Sequence, residues 1–404
     1  MIAARVFGLA QLPNAYDPVD LQPAGRSLRA LLTFPVIRWD GDWYLAIARH
    51  GYALSAHGLE RPRTNFFPLY PLAVRALSVV GVPLVIAAVL VSIGCLALAL
   101  YTLARLMDLE LERGGIRGGA SAGAVRLVVL ALALSPVSFF LSSAYAESLY
   151  LALSVGAFLC ARRGQWARAG TLAGLGAAAR GPGVLLLVPL LFLYLYGPRD
   201  DRAADLPPER GRPRYRLRVD VLWLGLAPLG LLGYMVYLTV AGVDPLSFVH
   251  TQREIWHHVL AWPWTTVWEG ARDAVSELGD LLTGGGHATL FGTYVNASVA
   301  TGWENLLPFA ALVLAVVALA GTWRRLPRAY GIYVTAAILL NLISPVNYEP
   351  LQSLPRYVLV LFPLFIWLGL WLAEHPRLRL PALVASGAAL ALLSAEFATW
   401  HFVA

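Results

Sequence analysis

Long apolar runs alternate with short polar connections along almost the whole chain. The runs occupy about residues 82–107, 122–142, 146–162, 165–181, 183–197, 219–241, 304–323, 329–345, 355–373 and 379–400. A helix needs about 20 residues to cross a ~30 Å hydrocarbon core, and most of the runs approach that length. The pattern therefore predicts an all-α fold, a polytopic bundle of about ten transmembrane helices, some of them broken by Pro136, Pro182 and Pro189.

Composition agrees with this pattern. The 404 residues are 58% hydrophobic and only 14% charged, whereas soluble domains are about one quarter charged. Net charge is +7, and every basic residue other than histidine is arginine, which favours a bacterial origin with a GC-rich genome. Cys95 and Cys160 both lie inside apolar runs, so they supply neither a disulfide framework nor a metal-ligand spacing. We expect a multi-pass protein of the bacterial plasma membrane.

The distribution of arginine predicts an orientation. Connections at 143–146, 181–183 and 345–355 are nearly free of arginine and are predicted to face outward, because positive residues concentrate on the cytoplasmic side. The predicted cytoplasmic ends carry Arg105, Arg113, Arg117, Arg126, Arg162, Arg163, Arg168, Arg324, Arg325, Arg328, Arg377, Arg379 and seven arginines between 199 and 218. Within one domain, 1–404, this orientation makes 198–218 a solvated cytoplasmic linker.

Two long segments, 1–66 and 242–303, then lie outside, and both are rich in tryptophan, tyrosine and histidine. We expect interfacial helices in the first of them. Residues 1–12 are apolar but too short to span a membrane, and Arg5 interrupts them. Because an upstream helix is needed to carry the first outward region across, we expect the beginning of a transmembrane helix to be missing.

The most specific stretch is RWDGDWYLAIARHGY at 38–52, followed by NFFPLYP at 65–71. Asp40 lies between two tryptophans at a predicted membrane surface, where a carboxylate is costly to desolvate and needs a partner or a function. The residues alone leave two interpretations open. Asp40 caps a helix that begins near Trp43, takes part in catalysis, or does both.

These motifs, together with SAYAESL at 143–149, ARGPG at 179–183 and QSLPRYV at 352–358, resemble the GPI mannosyltransferase 2 (PIG-V) family in its bacterial branch. That family belongs to the GT-C class of multi-pass glycosyltransferases, and the resemblance runs from about residue 13 to the end. It implies transfer of mannose or a similar hexose from a polyprenyl-phosphate donor on the non-cytoplasmic side, with inversion. The acceptor is a glycan, a glycolipid or a protein, and Asp40 is the implied general base.

A lipid phosphate leaves with negative charge, so the site needs fixed positive charge, which arginine supplies in bidentate form. Arg180 and Arg356 lie at outward ends of predicted spans and are the candidates for the donor phosphate; alternatively, they snorkel to lipid headgroups. Glu147 either pairs with one of them, binds the acceptor, or complements a helix dipole. Asp42, Asn65, Tyr145 and Gln352 are further candidate substrate contacts.

Two patterns raise the question of a metal. Asp40-Gly41-Asp42 reads as D-x-D, which binds a divalent cation and a nucleotide diphosphate in other glycosyltransferases. A lipid monophosphate offers no diphosphate to bridge, so we favour a reaction without a metal or other cofactor. The histidines at 250, 257 and 258 form a weak candidate, because adjacent histidines point to different helix faces.

Two other classes of protein are alternatives to a glycosyltransferase. A transporter or lipid flippase is expected to concentrate its charges near the bilayer midplane in broken helices, whereas the candidate charges here gather at one outward face. An inactive accessory subunit is the third possibility, although the chain retains Asp40 and both candidate arginines. The expected partners are the sugar donor, the acceptor and membrane lipids, with no nucleic acid.

Overall fold

The computed structural model describes residues 36–52, 61–119, 123–207, 212–283, 288–289, 300–301, 304–398 and 402–403. The expectation of a truncated first helix concerns residues 1–12, which lie outside the described residues.

The described part of the chain is built almost entirely of helices. In chain order they are α1 (Asp40–His50), α2 (Leu69–Val79), α3 (Leu84–Glu112), α4 (Ala124–Ala133), α5 (Glu147–Arg162), α6 (Trp166–Ala179), α7 (Leu187–Tyr196), α8 (Leu229–Val240), α9 (Ser247–Glu254), α10 (Pro263–Thr283), α11 (Leu306–Arg325), α12 (Arg328–Ile343), α13 (Leu354–Leu359), α14 (Phe362–Glu374) and α15 (Pro376–Ala398).

Short 3₁₀ helices and two minimal strands complete the secondary structure. The 3₁₀ helices are Arg61–Asn65, Ser138–Leu141, Gly181–Leu186 and Val219–Leu226. Strands β1 (Ala288–Thr289) and β2 (Ala300–Thr301) pair in parallel, with Ala288 opposite Ala300. The predicted helical fold is therefore confirmed.

Helices α3, α11 and α15 are long and apolar enough to cross a membrane. A fourth candidate is the pair formed by Val219–Leu226 and α8, which bends by 46°. Shorter apolar helices occupy Leu69–Val79, Ala124–Ala133, Gly181–Tyr196, Arg328–Ile343 and Phe362–Glu374. Apolar helices of this length are typical of a membrane protein, but the predicted count of about ten spans is not confirmed, because most of the predicted runs form short or broken helices.

Helix α5 is enclosed by its neighbours. Its buried residues run from Glu147 at the first position to Arg162 at the last. Close packing nearby depends on glycine: a Cβ atom at Gly230 of α8 would lie 1.9 Å from the carbonyl oxygen of Gly174 in α6. Small residues allow helix backbones to approach in this way when hydrophobic burial does not drive association.

The connecting segments differ in burial. Helix α1 buries Gly41, Asp42 and the stretch 44–48 against the protein, and its place at the membrane interface stays a prediction. Most described residues of the segment 198–218 are exposed, but Arg199 and Tyr215 are buried. Arg199 is 6% exposed and its guanidinium stacks on Trp166 and Tyr194, with 4.6 Å between its Cζ atom and each ring centroid. The placement of this segment on the cytoplasmic side stays a prediction.

Candidate active site

Asp40 is the first residue of α1 and follows a backbone in an unusual conformation. Trp39 has φ 56°, a left-handed value that side chains other than glycine seldom adopt. The structure contradicts the capping interpretation, because the helix begins at Asp40 itself and its N-cap residue, Trp39, forms no side-chain cap. Such a backbone costs about 1–3 kcal/mol and persists where the surroundings fix it.

The surroundings of Asp40 are fixed through Arg38. The Tyr145 hydroxyl donates to the Arg38 carbonyl oxygen at 2.8 Å. The Arg38 guanidinium donates to the carbonyl oxygen of Ala398 from Nε (3.3 Å) and Nη2 (3.2 Å). The start of α1 is thus held by the segment before α5 and by the end of α15.

Arg356 pairs directly with Asp40. Its Nη1 atom lies 2.5 Å from Asp40 Oδ2, although the two residues are 316 positions apart in the chain. Arg356 lies on α13, which begins after Ser353, another residue with a left-handed backbone (φ 62°). A residue with positive φ therefore precedes each of the two helices that carry this ion pair: Trp39 precedes α1, and Ser353 precedes α13.

Glu147 joins both arginines. Its Oε1 atom lies 3.2 Å from Nη1 of Arg180 and 3.4 Å from Nε of Arg356. The side chains of the two arginines are only 11% and 12% exposed, so neither extends to lipid headgroups as a snorkelling residue would. Glu147 does more than complement the dipole of α5, because it is an ion-pair partner of both guanidinium groups.

We call Asp40, Glu147, Arg180 and Arg356 the charge cluster. Three of its buried polar atoms have no hydrogen-bond partner among the described residues: Oε2 of Glu147, Nη1 of Arg180 and Nε of Arg356. The two nitrogens lie near Glu147 Oε1 without forming aligned hydrogen bonds. Buried polar groups are usually hydrogen-bonded, so these atoms indicate a site that is completed by something other than the protein.

The charge cluster borders a cavity of about 910 Å³. That volume lies near the upper end of the ~300–1,000 Å³ typical of small-molecule sites. All four members line it, and aromatic side chains cover the wall beside them, including Trp39, Trp43, Tyr44, Phe140, Tyr145 and Tyr357. The ring of Tyr357 lies 5.0 Å from the Cζ atom of Arg180. The structure thus brings Asp40, Arg180 and Arg356 to one cavity.

The remaining candidate residues are distributed differently. Asn65, Tyr145 and Gln352 line the cavity. All three are engaged by the protein. The Tyr145 hydroxyl donates to the Arg38 carbonyl oxygen, the Asn65 amide donates to the Phe248 carbonyl oxygen at 2.7 Å when its nitrogen is turned toward it, and the Gln352 amide donates to Glu349. Asp42 is 3% exposed and is not part of the cavity wall.

The D-x-D pattern does not place two carboxylates together. Asp40 lines the cavity whereas Asp42 lies on another side of α1, because residues two apart on a helix are about 200° apart. The histidines are likewise separated. His250 Nδ1 lies 3.0 Å from Asp244 Oδ2, while His258 Nδ1 lies 2.7 Å from the Ser344 carbonyl oxygen. Over the described ranges, no group of three His, Cys, Asp or Glu residues is arranged to hold a metal ion.

Sequence reasoning missed Glu349, which lines the cavity together with Glu304 and Gln352. The Gln352 amide nitrogen donates to Glu349 Oε2 at 2.9 Å. Burial and the neighbouring Glu304 raise the pKa of Glu349 from 4.5 to about 8. A signal was present, since Glu349 is an acidic residue in the short connection 345–355 that arginine avoids.

Comparison with protein families bears on this geometry. Residues 25–191 match the model of the family described as mannosyltransferase (PIG-V). This part of the chain is similar to the PIG-V mannosyltransferases, and the match indicates a glycosyltransferase. The match includes Asp40, Glu147 and Arg180, whereas Arg356 and the whole QSLPRYV stretch lie beyond it. No curated protein and no solved structure matches the chain.

Proposed function

We propose that this PIG-V-like protein transfers a hexose, in keeping with the family a mannose, from a polyprenyl-phosphate donor to an acceptor hydroxyl on the non-cytoplasmic side. The observation that carries the proposal is the convergence of Asp40, Glu147, Arg180 and Arg356 on the wall of one cavity. The arrangement fits a GT-C type of site, in which a carboxylate and fixed positive charge face the same substrate.

Arg180 and Arg356 hold the donor phosphate. Their unsatisfied nitrogens supply hydrogen-bond donors, and each side chain keeps its position through Glu147. When the bond between the anomeric carbon and phosphate breaks, the electron pair stays on the phosphate oxygen and its charge increases. Guanidinium groups already in place stabilise this developing charge more than the ground state, which is the requirement for lowering the barrier.

Asp40 accepts the proton of the acceptor hydroxyl. The acceptor oxygen forms a bond to the anomeric carbon as the phosphate departs from the opposite face, and the configuration inverts. In the structure Arg356 holds the Asp40 carboxylate. Donor phosphate competes for the same guanidinium, so binding of the donor releases Asp40 to act as a base. A positioned base contributes roughly 10²–10⁴-fold to such a step.

The pairing of cluster members also bears on charge. Two carboxylates and two guanidinium groups sum to zero, so the donor phosphate binds by taking the place of a carboxylate. When the phosphate replaces Asp40 at Arg356, the guanidinium exchanges one anionic partner for another and the formal charge of the four side chains does not change. The proposed reaction uses the chain's own side chains and needs no metal ion.

The test is a transfer assay in membranes that contain the protein. Radiolabelled polyprenyl-phosphate mannose and polyprenyl-phosphate glucose are supplied separately, and the labelled product and its anomeric configuration are determined. We expect mannose to be transferred with inversion. Equal transfer by membranes that lack the protein, or no transfer from either polyprenyl-phosphate sugar, would refute the proposal.

The transporter or flippase alternative receives no support from these findings. A family match to mannosyltransferases and a cavity with an acid beside two arginines both favour group transfer. A flippase would move the labelled donor between leaflets without forming a new glycosidic bond, and the same assay detects that difference.

A further inference from the structure

The cavity has a second polar wall, away from the charge cluster. It is formed by α9 and the segment after it, by the residues just before α11, and by the end of α12 with the connection to α13. We call it the amide wall; its members are Gln252, His258, Glu304, Asn305, Asn341, Ser344, Glu349 and Gln352. Glu349 was not identified from the sequence as a substrate contact, whereas Gln352 was.

Backbone pairing makes this wall rigid. The Val259 amide donates to the Pro345 carbonyl oxygen at 2.9 Å, and the Ala261 amide donates to Ile343 at 3.0 Å. Val346 forms bridges to His258 and to Glu349. Side chains on a frame of this kind are held in position before a ligand arrives, as a specific binding site requires.

The chemistry of the wall suits neighbouring hydroxyl groups. Gln352 fixes one carboxyl oxygen of Glu349 through its amide nitrogen at 2.9 Å, and leaves its own carbonyl oxygen and the other carboxyl oxygen for a ligand. His258 bonds to the Ser344 carbonyl oxygen through Nδ1, which leaves Nε2 as an acceptor. Amide, acid and imidazole groups together offer both donors and acceptors, as a sugar ring does.

Position supports the same interpretation. Gln352 lies four residues before Arg356, at the start of the segment that carries the partner of Asp40. A ligand on the amide wall therefore occupies the cavity that Asp40 lines, beside the proposed donor site. The cavity of about 910 Å³ leaves room for a second ligand beside a donor sugar and its phosphate.

We propose that the amide wall is the acceptor subsite and that Glu349 and Gln352 bind neighbouring hydroxyls of a sugar ring. The acceptor is then a glycan or the carbohydrate headgroup of a glycolipid, and not a protein hydroxyl. This inference rests on the proposed function and adds the class of acceptor to it.

The experiment measures binding and transfer separately in the purified full chain. Methyl glycosides of mannose, glucose, galactose and N-acetylglucosamine are titrated against the fluorescence of the cavity tryptophans, and a threonine-containing peptide serves as the protein-type acceptor. We expect at least one glycoside to bind saturably. Loss of one hydrogen bond costs about 1 kcal/mol, so Gln352→Ala should weaken that binding about fivefold.

Variants of Glu349 sharpen the test. Glu349→Ala removes both oxygens and should weaken glycoside binding by about tenfold, whereas Glu349→Gln keeps the shape and hydrogen bonding and should restore most of it. Asp273→Ala is the matched control, because Asp273 pairs with Arg272 on α10 and is not part of the cavity wall. The affinity for the polyprenyl-phosphate donor should be unchanged in the Gln352, Glu349 and Asp273 variants.

Two results would overturn the inference. One is the absence of saturable binding by every glycoside; the other is binding that Glu349→Ala and Gln352→Ala leave unchanged. Transfer of label to the peptide and to none of the glycosides would also overturn it while leaving the transferase function intact. If the wild-type protein instead transfers no sugar from any polyprenyl-phosphate donor, the proposed function itself fails.

Discussion

The two ends of α5 each carry a group of buried charges, and the two groups differ in how completely they are satisfied. Glu147, the first residue of the helix, belongs to the charge cluster on the cavity. Arg162, the last residue, pairs with Glu110 of α3. Sixteen residues at 1.5 Å each place the two groups about 24 Å apart on one rigid element.

Every guanidinium nitrogen of Arg162 has a hydrogen-bond partner. Its Nε and Nη2 atoms donate to the two carboxylate oxygens of Glu110 at 2.6 and 3.3 Å, and its Nη1 donates to the Pro198 carbonyl oxygen at 2.9 Å. The Tyr330 hydroxyl adds a bond of 2.6 Å to Glu110. Both side chains of the pair are fully buried, and neither lines the cavity.

The charge cluster has the same types of residue but incomplete hydrogen bonding. Three of its buried atoms have no described hydrogen-bond partner. Glu147 is shared between two arginines, and Arg356 is shared between two carboxylates. A satisfied pair holds helices together, whereas a partly satisfied group beside a cavity is available to a ligand. The difference between the two ends of α5 therefore separates a structural role from a proposed catalytic one.

The largest effect is expected at Asp40. Asp40→Asn keeps the side-chain shape but removes the base, so sugar transfer should fall by roughly 10²–10⁴-fold. The measurement is the initial rate with saturating radiolabelled donor, alongside the unfolding midpoint in detergent, which should change little. Asp244→Asn, at an exposed carboxylate outside the cavity, is the control. Turnover within a factor of two of wild type would remove Asp40 from the mechanism.

At the other end of α5, Glu110→Gln should act on stability. The substitution leaves the buried Arg162 without its ionic partner, and breaking one side of a buried pair costs about 3–5 kcal/mol. The unfolding midpoint should fall while the KM for donor in the folded fraction stays the same. Replacing both residues together, Glu110→Leu with Arg162→Met, should recover much of the loss. Loss of transfer without loss of stability would show that this pair also serves the reaction.

Arg180→Gln should selectively weaken binding of the donor. A hydrogen bond to a charged group contributes about 1.5–3 kcal/mol, so the KM for polyprenyl-phosphate sugar should rise roughly 10–100-fold. The control is Arg168→Gln. Arg168 is exposed and donates a hydrogen bond to Gln165, so its replacement should leave the KM for the donor unchanged. Equal KM values in both variants would mean that Arg180 does not bind the donor phosphate.

The smallest effect concerns pH. Because the pKa of Glu349 is raised from 4.5 to about 8, the folded protein binds this proton more tightly than the unfolded chain. Stability should therefore fall as pH rises from about 4.5 to about 8, where Glu349 ionises beside Glu304 and Glu277. The check is the unfolding midpoint across this range; Glu349→Gln should flatten the slope. An identical slope in the variant would contradict the assignment.

The apolar pattern predicted the helices well and their continuity less well. The run at 165–181 became α6, and the run at 183–197 became α7 preceded by Gly181–Leu186 in 3₁₀ form. A proline in a run signals a break, but the hydropathy of the run does not show whether the pieces make one span or two. This is why the number of membrane spans did not follow from the sequence.

The site was predictable in its residue types and not in its pairing. Asp40 stood out as an acid between two tryptophans, and Arg180 and Arg356 stood out as charges at outward ends of predicted spans. The structure places all three on the cavity. The pairing of Asp40 with Arg356 spans 316 positions and depends on the packing of α1 against the later helices. Glu349 was missed because its importance comes from burial and from Gln352, which only the fold reveals.

Arg38 has a consequence for how this protein is made. Its guanidinium is held by the carbonyl oxygen of Ala398, which emerges from the ribosome only after the other helices described here. Until α15 has been inserted, the residue two positions before Asp40 lacks that anchor. A nascent chain therefore carries Asp40 before this contact can form, and the start of α1 gains the contact only after α15 has been made.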